Sequence, residues 1–411
     1  MIAADPTAAA QAPPSYLREL TDRYDPDPIH VAGGEATIQL EVGGSEYWDA
    51  VISGGHCTLE LPSDERDADA RISADADTWR TIAADARNGM EAFQRGALSV
   101  RHDLHLGIGF IAATSGEEGP DRLSFAVVEP AGEGGEIAYL EAGAPDREIP
   151  LICVHGLGGT KASFMPTVAA LADDERVIAL DLPGFGDSHK PTDAPYDAEW
   201  FAAAVERFMD SLGIERAHLI GNSMGGRVAI ECGFTIPERV ASLSLITPSL
   251  AWIRDRPWRV LLSLPLPKLG LIQPTPRRVM EPIVRRLVPG AKEGWTAAGV
   301  DEFLRAFLTP GGRFAFYEAA RRIYLDEPYG PEGFWRRLEQ LVPPSLFVWG
   351  TEDMLVPASF RWHVERALPE ARHIELDCGH VPQLERPTET HQAIAALLAE
   401  VEKESDGVPV G

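Results

Sequence analysis

Residues 217–227 read Ala-His-Leu-Ile-Gly-Asn-Ser-Met-Gly-Gly-Arg, and the interpretation of the whole chain starts from this stretch. Its first half has the apolar character of a buried strand, and its glycine-rich second half is typical of a sharp turn that opens a helix. Ser223 lies at the apex, between Gly221 and Gly225, where small neighbours leave room for an exposed hydroxyl. A serine nucleophile also needs a base, an acid and an oxyanion site, which other parts of the chain must supply.

The base and the acid are predicted at His380 and Asp353, which gives the chain order serine, aspartate, histidine. His380 follows the last strand-like segment in a Gly-His turn, where an imidazole can take the serine proton. Asp353 lies just after the apolar run 345–349, where a carboxylate can orient that imidazole. Glu352 is the neighbouring alternative. The loop after the strand that follows Ser223 contains no carboxylate, which favours Asp353.

The oxyanion site is expected to use two backbone N–H groups. Met224 directly follows the nucleophile and would open the next helix, so its N–H is one candidate. The second candidate is Leu157, which follows His155-Gly156 at the end of a fully apolar segment. We interpret His155 as a residue that supports this loop, because it does not stand in the loop where the base is expected.

Strand-like and helix-like segments alternate from residue 123 to residue 246 and again from 345 to 404. This alternation predicts an α/β fold with a doubly wound, mostly parallel sheet. Residues 250–342 interrupt it with helical, Trp-, Leu-, Pro- and Arg-rich sequence, which predicts a helical cap inserted between two strands.

Residues 123–404 resemble the α/β-hydrolase family in motifs that occur in the family's order: His155-Gly156, Asp181-Leu-Pro-Gly-Phe-Gly186, Gly221-Asn-Ser-Met-Gly-Gly226, Gly350-Thr-Glu-Asp353 and Gly379-His380. The resemblance implies an acyl-enzyme mechanism at Ser223. Within the family, the motifs are similar to those of carboxylesterases, of carbon–carbon hydrolases that cleave meta-ring-fission products, and of cofactor-free perhydrolases. No cofactor or metal is expected.

The N-terminal part is predicted to form a separate, small α+β domain. Residues 31–114 show alternating strand patterns, then two helices, a strand and a last helix. Asp77 is predicted as the N-cap of the first helix, Thr78–Ala86. This order, with the run Ala70–Trp79 and the run Phe93–Val100, resembles the sterol-carrier-protein-2 (SCP2) family. The resemblance implies a hydrophobic tunnel for a lipid; a scaffold or dimerisation domain that binds nothing is the alternative. We predict a loose or disordered tail at 1–30, with a short helix from Ser15 to Tyr24, a linker at 115–122 and a second tail at 405–411.

Charge and cysteine content exclude several classes of function. The formal net charge of −26 argues against nucleic-acid binding. The four cysteines show no C-x-x-C pair, and no segment has the length or composition of a signal peptide or a membrane span. A cytoplasmic protein is therefore expected, and the oligomeric state stays open.

We therefore predict a serine hydrolase that cleaves lipophilic carboxylic esters, beside two alternatives. One is a carbon–carbon hydrolase of the meta-cleavage type, and the other is a non-catalytic lipid carrier or receptor on a hydrolase scaffold. The segment 250–342 carries 15 Lys and Arg against 10 Asp and Glu, so it is basic within an acidic chain. Its arginine pairs would either bind an anionic substrate or lipid surface, or form ion pairs within the protein.

Overall fold

The computed structural model describes residues 12–63, 67–86, 88–119, 121–132, 135–253, 259–264, 266–272, 276–287 and 294–406. The chain divides into two compact units between Glu118 and Gly119, inside the stretch predicted as a linker. Each unit is built around its own sheet. None of the helices in the described residues combines the length and apolar character needed to cross a bilayer.

The N-terminal unit contains a five-stranded sheet in the order β3-β2-β1-β4-β5, in which only the β1–β4 pair is parallel. Its elements are α1 (Ser15–Asp22), β1 (Glu35–Val42), β2 (Glu46–Ser53), β3 (His56–Glu60), β4 (Ala70–Ala74), α2 (Ala76–Ala84), α3 (Asn88–Gln94), β5 (Leu98–Arg101) and α4 (Leu104–Ala113).

Two predictions for this unit are wrong in detail. The N-cap of α2 is Asp75, whose side chain accepts a hydrogen bond from the Thr78 N–H at 2.7 Å, whereas Asp77 lies in the first turn. Hydrogen bonds from the backbone and the side chain of Thr78 lower the pKa of the Asp75 carboxyl below its ordinary value. The residues from Ser15 onward are also not a loose tail, because α1 buries Leu17 and Leu20 completely and packs on α2.

The C-terminal unit contains an eight-stranded sheet in the order β13-β12-β11-β10-β8-β9-β7-β6. Strand β7 runs antiparallel to both of its neighbours, β6 and β9, and every other neighbouring pair is parallel. Its strands are β6 (Ser124–Val128), β7 (Ile137–Ala142), β8 (Leu151–Val154), β9 (Val177–Leu180), β10 (Ala217–Asn222), β11 (Val240–Ile246), β12 (Ser345–Gly350) and β13 (Arg372–Leu376). The mostly parallel α/β sheet predicted from the sequence is confirmed.

In the described part of this unit, six helices follow or precede sheet strands, and another six form the cap. The first group is α5 (Met165–Leu171), α6 (Ala198–Ser211), α7 (Met224–Thr235), α14 (Arg361–Ala367), α15 (Pro382–Glu385) and α16 (Pro387–Asp406). The cap helices are α8 (Arg259–Leu262), α9 (Leu266–Gly270), α10 (Arg277–Leu287), α11 (Gly294–Phe307), α12 (Pro310–Tyr324) and α13 (Phe334–Leu338). Four short 3-10 helices occur at Ala32–Gly34, Lys161–Phe164, Pro237–Arg239 and Ala358–Phe360.

The strand order reverses at β8, which lies between β9 and β10. In open α/β sheets, ligands bind in the crevice outside the carboxyl ends of the strands at such a reversal. The loop after β8 begins with His155-Gly156-Leu157, and the turn after β10 is Ser223. The topology therefore places the predicted oxyanion loop and the predicted nucleophile on adjacent strand ends.

One buried histidine gives the C-terminal unit a pH-dependent stability. His218 lies on the central strand β10, where its Nδ1 is 2.8 Å from Ser242 Oγ. Burial, reinforced by Arg216 and Arg147, lowers its pKa from 6.5 to about 4. Because the unfolded chain binds this proton more readily, the free energy of unfolding falls as the pH drops from about 6.5 towards 4.

We expect His218→Asn to remove this acid sensitivity. In the wild type, His218 makes the free energy of unfolding about 2 kcal/mol smaller at pH 5 than at pH 7. The variant should lose that difference, as measured by urea unfolding at the two pH values. The matched control is His189→Gln, because His189 is exposed in the same unit. An unchanged pH dependence in His218→Asn would show that His218 is not the responsible group.

Candidate active site

Ser223 occupies a strained backbone conformation between β10 and α7. Its φ is 54° and its ψ is −117°, a region that residues with a side chain rarely adopt and that costs on the order of 1–3 kcal/mol. Hydrogen bonds hold it there: the Ser223 N–H donates to Ile246 O at 2.9 Å, and its carbonyl accepts from the N–H groups of Ser249 and Arg227. The turn after β10 is thus fixed to the end of β11.

Glycines around Ser223 let three backbone segments approach closely. A Cβ at Gly225 would stand 1.9 Å from Val154 O, at the end of β8. A Cβ at Gly221 would stand 2.4 Å from Gly225 O, and one at Gly156 would lie 3.1 Å from Ser223 Cβ. The glycines of the Gly-x-Ser-x-Gly pattern therefore have a steric reason.

The structure brings His380 and Asp353 together. His380 Nδ1 lies 2.7 Å from Asp353 Oδ2, and both side chains are buried. The other carboxylate oxygen, Oδ1, accepts hydrogen bonds from the N–H groups of Leu355 and Val356, at 2.7 and 3.0 Å. An acceptor-only carboxylate at Nδ1 fixes the tautomer that carries its proton there, which leaves Nε2 free to accept a proton. The alternative acid Glu352 is exposed.

Backbone hydrogen bonds fix His380 independently of Asp353. Its carbonyl accepts from Asn222 Nδ2 at 3.1 Å and from Thr247 Oγ1 at 2.8 Å. Glu385 accepts from the N–H groups on either side of His380, those of Gly379 and Val381, at 2.8 and 3.1 Å. Asn222, which directly precedes Ser223, is therefore hydrogen-bonded to His380, the residue predicted to act as the base for Ser223.

Sequence reasoning missed Asn222, Thr247 and Glu385. The stretch 247–250 contains no carboxylate, but Thr247 acts through its hydroxyl and adopts a φ of 42°. Glu385 stands five residues after His380, a spacing that a one-turn helix makes close. Only the fold could reveal the Asn222 contact, because 158 residues separate it from His380.

The Ser223 hydroxyl lies near a second serine. Its Oγ is 3.4 Å from Ser249 Oγ, and either hydroxyl can donate. Within the described residues, no hydrogen bond joins Ser223 Oγ to His380. Active-site hydrogen bonds are often long or misaligned before a substrate binds, so this geometry does not argue against a role for His380.

The two predicted oxyanion residues flank Ser223. Met224 is the first residue of α7, where N–H groups have no partner within the helix. Leu157 follows Gly156, which lies against Ser223. The next residue, Gly158, has a φ of 73°, and a Cβ there would be 2.5 Å from the ring of Phe303 on α11. The cap therefore packs directly on the loop that carries Leu157.

His155 supports its loop, as the sequence predicts. It is fully buried, its Nδ1 lies 2.8 Å from Gly156 O, and its Nε2 accepts from the Leu182 N–H at 3.0 Å. Since one nitrogen must accept and the carbonyl requires a donor, the ring is neutral with its proton on Nδ1. His363 lies on α14, and His373 on β13 accepts from Trp349 Nε1 at 3.0 Å.

A buried lysine holds the turn after β9. Lys161 Nζ lies 2.7 Å from both Asp181 Oδ2 and Asp187 Oδ2. The carboxylates of Asp181 and Asp187 keep the pKa of Lys161 above its ordinary value despite its burial. The two aspartates therefore have a structural role, and no sequence pattern pointed to Lys161.

Most of the described cap arginines form ion pairs within the protein. Arg321 and Arg322 both bind Glu318, at 2.6 and 2.8 Å. Arg277 binds Glu281 and Asp301, while Arg337 binds Glu231 on α7. The side chains of residues 285 and 286 lie outside the described residues. These contacts favour the internal ion-pair interpretation over a mouth for an anionic substrate.

Residues 149–387, more than half of the chain, match the family model of the alpha/beta hydrolase fold. The chain belongs to this family. Residues 18–113 match the model of the SCP-2 sterol transfer family. Both resemblances that the sequence predicts are thereby confirmed.

The proteins that are similar to this chain have names that describe several different activities. A dihydrolipoyllysine-residue acetyltransferase component of an acetoin cleaving system from Pseudomonas putida is 30% identical, over 70% of this chain and 74% of the relative. A 2-hydroxy-6-oxononadienedioate/2-hydroxy-6-oxononatrienedioate hydrolase from Paraburkholderia phymatum is 27% identical, over 65% of this chain and 93% of the relative. Among solved structures, a bacterial membrane phospholipase A is 30% identical with a TM-score of 0.55, over 68% of this chain and 87% of that one. Hydrolases are thus prominent among the relatives.

We expect Glu385→Ala to destabilise the His380 loop. The change removes two charge-assisted hydrogen bonds and leaves two N–H groups unpaired, which should lower the free energy of unfolding by about 2 kcal/mol. Denaturant unfolding measures the loss. Glu370→Ala, at an exposed glutamate in the same unit, should change it by less than about 0.5 kcal/mol. Equal effects of the two changes would contradict the role of Glu385.

Proposed function

We propose that the chain is a serine hydrolase that cleaves lipophilic carboxylic esters through an acyl-enzyme. The observation that carries this proposal is the buried His380–Asp353 hydrogen bond at strand ends next to the strained turn of Ser223. Strain at a non-glycine residue is retained where surrounding structure enforces it, typically at functional sites. A structural serine would need neither the strain nor the buried pair.

In the proposed reaction, Ser223 Oγ attacks the ester carbonyl while its proton passes to His380 Nε2. The hydroxyl first turns from Ser249 towards His380. Asp353 stabilises the resulting imidazolium, which then protonates the leaving alcohol. Water, deprotonated by the same nitrogen, attacks the acyl-enzyme; the bond to Ser223 Oγ then breaks, Oγ regains a proton from His380, and the acid is released. The bonds from Asn222 and Thr247 to the His380 carbonyl would limit the drift of the base away from Ser223 during both steps.

The negative oxygen of the tetrahedral intermediate would bind the N–H groups of Met224 and Leu157. The position of Met224 at the start of α7 adds the positive end of the helix dipole. Preorganised donors of this kind contribute about 3 kcal/mol each to transition-state stabilisation. The contact of Phe303 with the loop of Leu157 would couple acyl-group binding in the cap to this site.

The relatives support two reaction classes. The named phospholipase A fits an ester substrate with apolar bulk, which the aromatic side chains Phe303, Phe307 and Phe316 of the cap could contact. The named oxononadienedioate hydrolase favours carbon–carbon bond hydrolysis as the second candidate. The cap arginines argue for the ester, because ion pairs already engage Arg277, Arg321 and Arg322, and a dicarboxylate substrate would need free cations.

We expect Ser223→Ala to lower kcat for p-nitrophenyl ester hydrolysis by at least about 10⁴-fold and to abolish labelling by a fluorophosphonate. His380→Ala should have an effect of similar size, because the base and the nucleophile act as a unit. Ser249→Ala is the matched control, since it removes the neighbouring hydroxyl and leaves the nucleophile. It should retain labelling.

Two outcomes would contradict the ester proposal. A wild-type protein that is folded but not labelled would favour the non-catalytic carrier. Labelling together with faster turnover of a meta-ring-fission product than of any ester would favour the carbon–carbon hydrolase. A panel of esters of increasing acyl length, run beside one ring-fission product, separates these results.

We also propose that the N-terminal unit binds the lipophilic substrate or a related lipid. The match to the SCP-2 sterol transfer family supports this, and so does the presence of both units in one chain. A tethered carrier raises the local concentration of a poorly soluble ester near the hydrolase unit.

Deletion of residues 1–118 should raise KM for long-chain esters by at least about tenfold and leave KM for short-chain esters within about twofold. Short esters are soluble enough to reach the active site unaided. Steady-state kinetics on both substrates give the comparison, and the short ester reports whether the truncated chain folds. Equal changes for both chain lengths would rule out a carrier role.

A further inference from the structure

The early part of the cap has an unusual surface. Twelve large apolar side chains are exposed in the described residues, and six of them lie between residues 260 and 279. Val260 and Ile272 are 81% and 78% exposed. The other four are Leu261, Leu264, Leu269 and Val279. We call the exposed side chains of residues 259–279 the cap patch.

Two of the helices that carry these side chains, α9 and α10, also have a side that packs inside the cap. Helix α9 packs on α12, and the Gly270 carbonyl at its end accepts from Arg313 Nε at 2.7 Å. Helix α10 turns Met280 towards Val300 and Leu304 of α11. These inner residues account for the packing between the cap helices. The exposure of the outer apolar side chains therefore needs a different explanation.

The cap patch is also basic. Residues 259–279 contain four Lys and Arg and no Asp or Glu, a net charge of +4 in a chain of −26. Arg259, Lys268 and Arg278 are exposed among the apolar side chains. Unlike Arg277 beside it, Arg278 has no acidic partner in the described residues. Exposed apolar and cationic side chains thus occur together along one segment of an otherwise acidic chain.

We propose that the cap patch docks on the surface of an anionic lipid bilayer. Exposed aliphatic side chains can enter the boundary between head groups and acyl chains, while lysine and arginine bind lipid phosphates. The remaining negative charge would be repelled by such a surface, which orients the molecule with its cap towards the lipid. A second copy of the chain fits less well, because a symmetric contact would bring two basic patches together.

Vesicle flotation of the full-length chain tests this proposal. The vesicles contain ether-linked phosphatidylcholine, alone or with one part in four of ether-linked phosphatidylglycerol, so ester hydrolysis cannot alter them. We expect binding to the anionic vesicles that weakens with added salt, and at least about tenfold weaker binding to the neutral ones. The double variant Val260→Asp/Ile272→Asp should reduce anionic-vesicle binding at least about tenfold.

The matched control is Val342→Asp, because Val342 is 75% exposed and lies outside the cap patch. It should bind vesicles like the wild type. All three proteins should hydrolyse a short soluble ester equally, so a failure of docking is distinguishable from a failure of the proposed ester hydrolysis.

Several results would overturn the proposal. These are absence of wild-type binding, equal binding to neutral vesicles, equal loss in Val342→Asp, or full binding by the double variant, which would assign membrane contact to another surface. A wild-type dimer that becomes monomeric in the double variant, with no vesicle binding by either, would assign the patch to self-association. Analytical ultracentrifugation of the same samples distinguishes that case.

Discussion

The close approach of three strand ends around Ser223 is the constraint on which the site depends. The left-handed backbone of Ser223 is tolerated because β8, β10 and β11 all contribute bonds or contacts to the same turn. Gly225 against Val154 O leaves no space for any side chain. A sheet that fixes these strand ends can hold the half-buried Ser223 in one place, which a flexible loop could not do.

The same sheet positions His380 through its main chain. Asn222, Thr247 and Glu385 bind the backbone around His380, and Asp353 binds its ring. The orientation of the imidazole is therefore set without help from Ser223. The Ser223 hydroxyl can therefore change its hydrogen-bond partners. A nucleophile has to do so, because it first donates a proton and later regains it.

Local patterns in the sequence were sufficient to predict the strands, the cap and the proximity of His380 to Asp353, because glycines at strand ends and apolar runs reflect nearby geometry. Asn222, Thr247 and Lys161 could not be predicted in this way. Their hydrogen-bond partners lie 20 to 158 residues away in the sequence, and threonine and lysine occur in many kinds of loop. The N-cap of α2 was placed two residues late for a different reason: Asp75 and Asp77 both satisfy the capping preference, and only backbone geometry selects Asp75.

The distribution of cap charges follows from where each helix faces. On the inner side, Arg227 of α7 binds Glu231 and Asp326, each at 2.7 Å, and Glu231 also binds Arg337 of α13. Removing one member would leave a buried charge unpaired, so this network favours one orientation of the cap over the helix that follows Ser223. Arginines used in this way cannot also bind an external anion. The exposed cations of the cap patch, Arg259, Lys268 and Arg278, lie in the same segment as its apolar side chains. The basic charge of the insertion therefore comes from two groups of residues. One group forms ion pairs that orient the cap, and the other lies on the exposed cap patch.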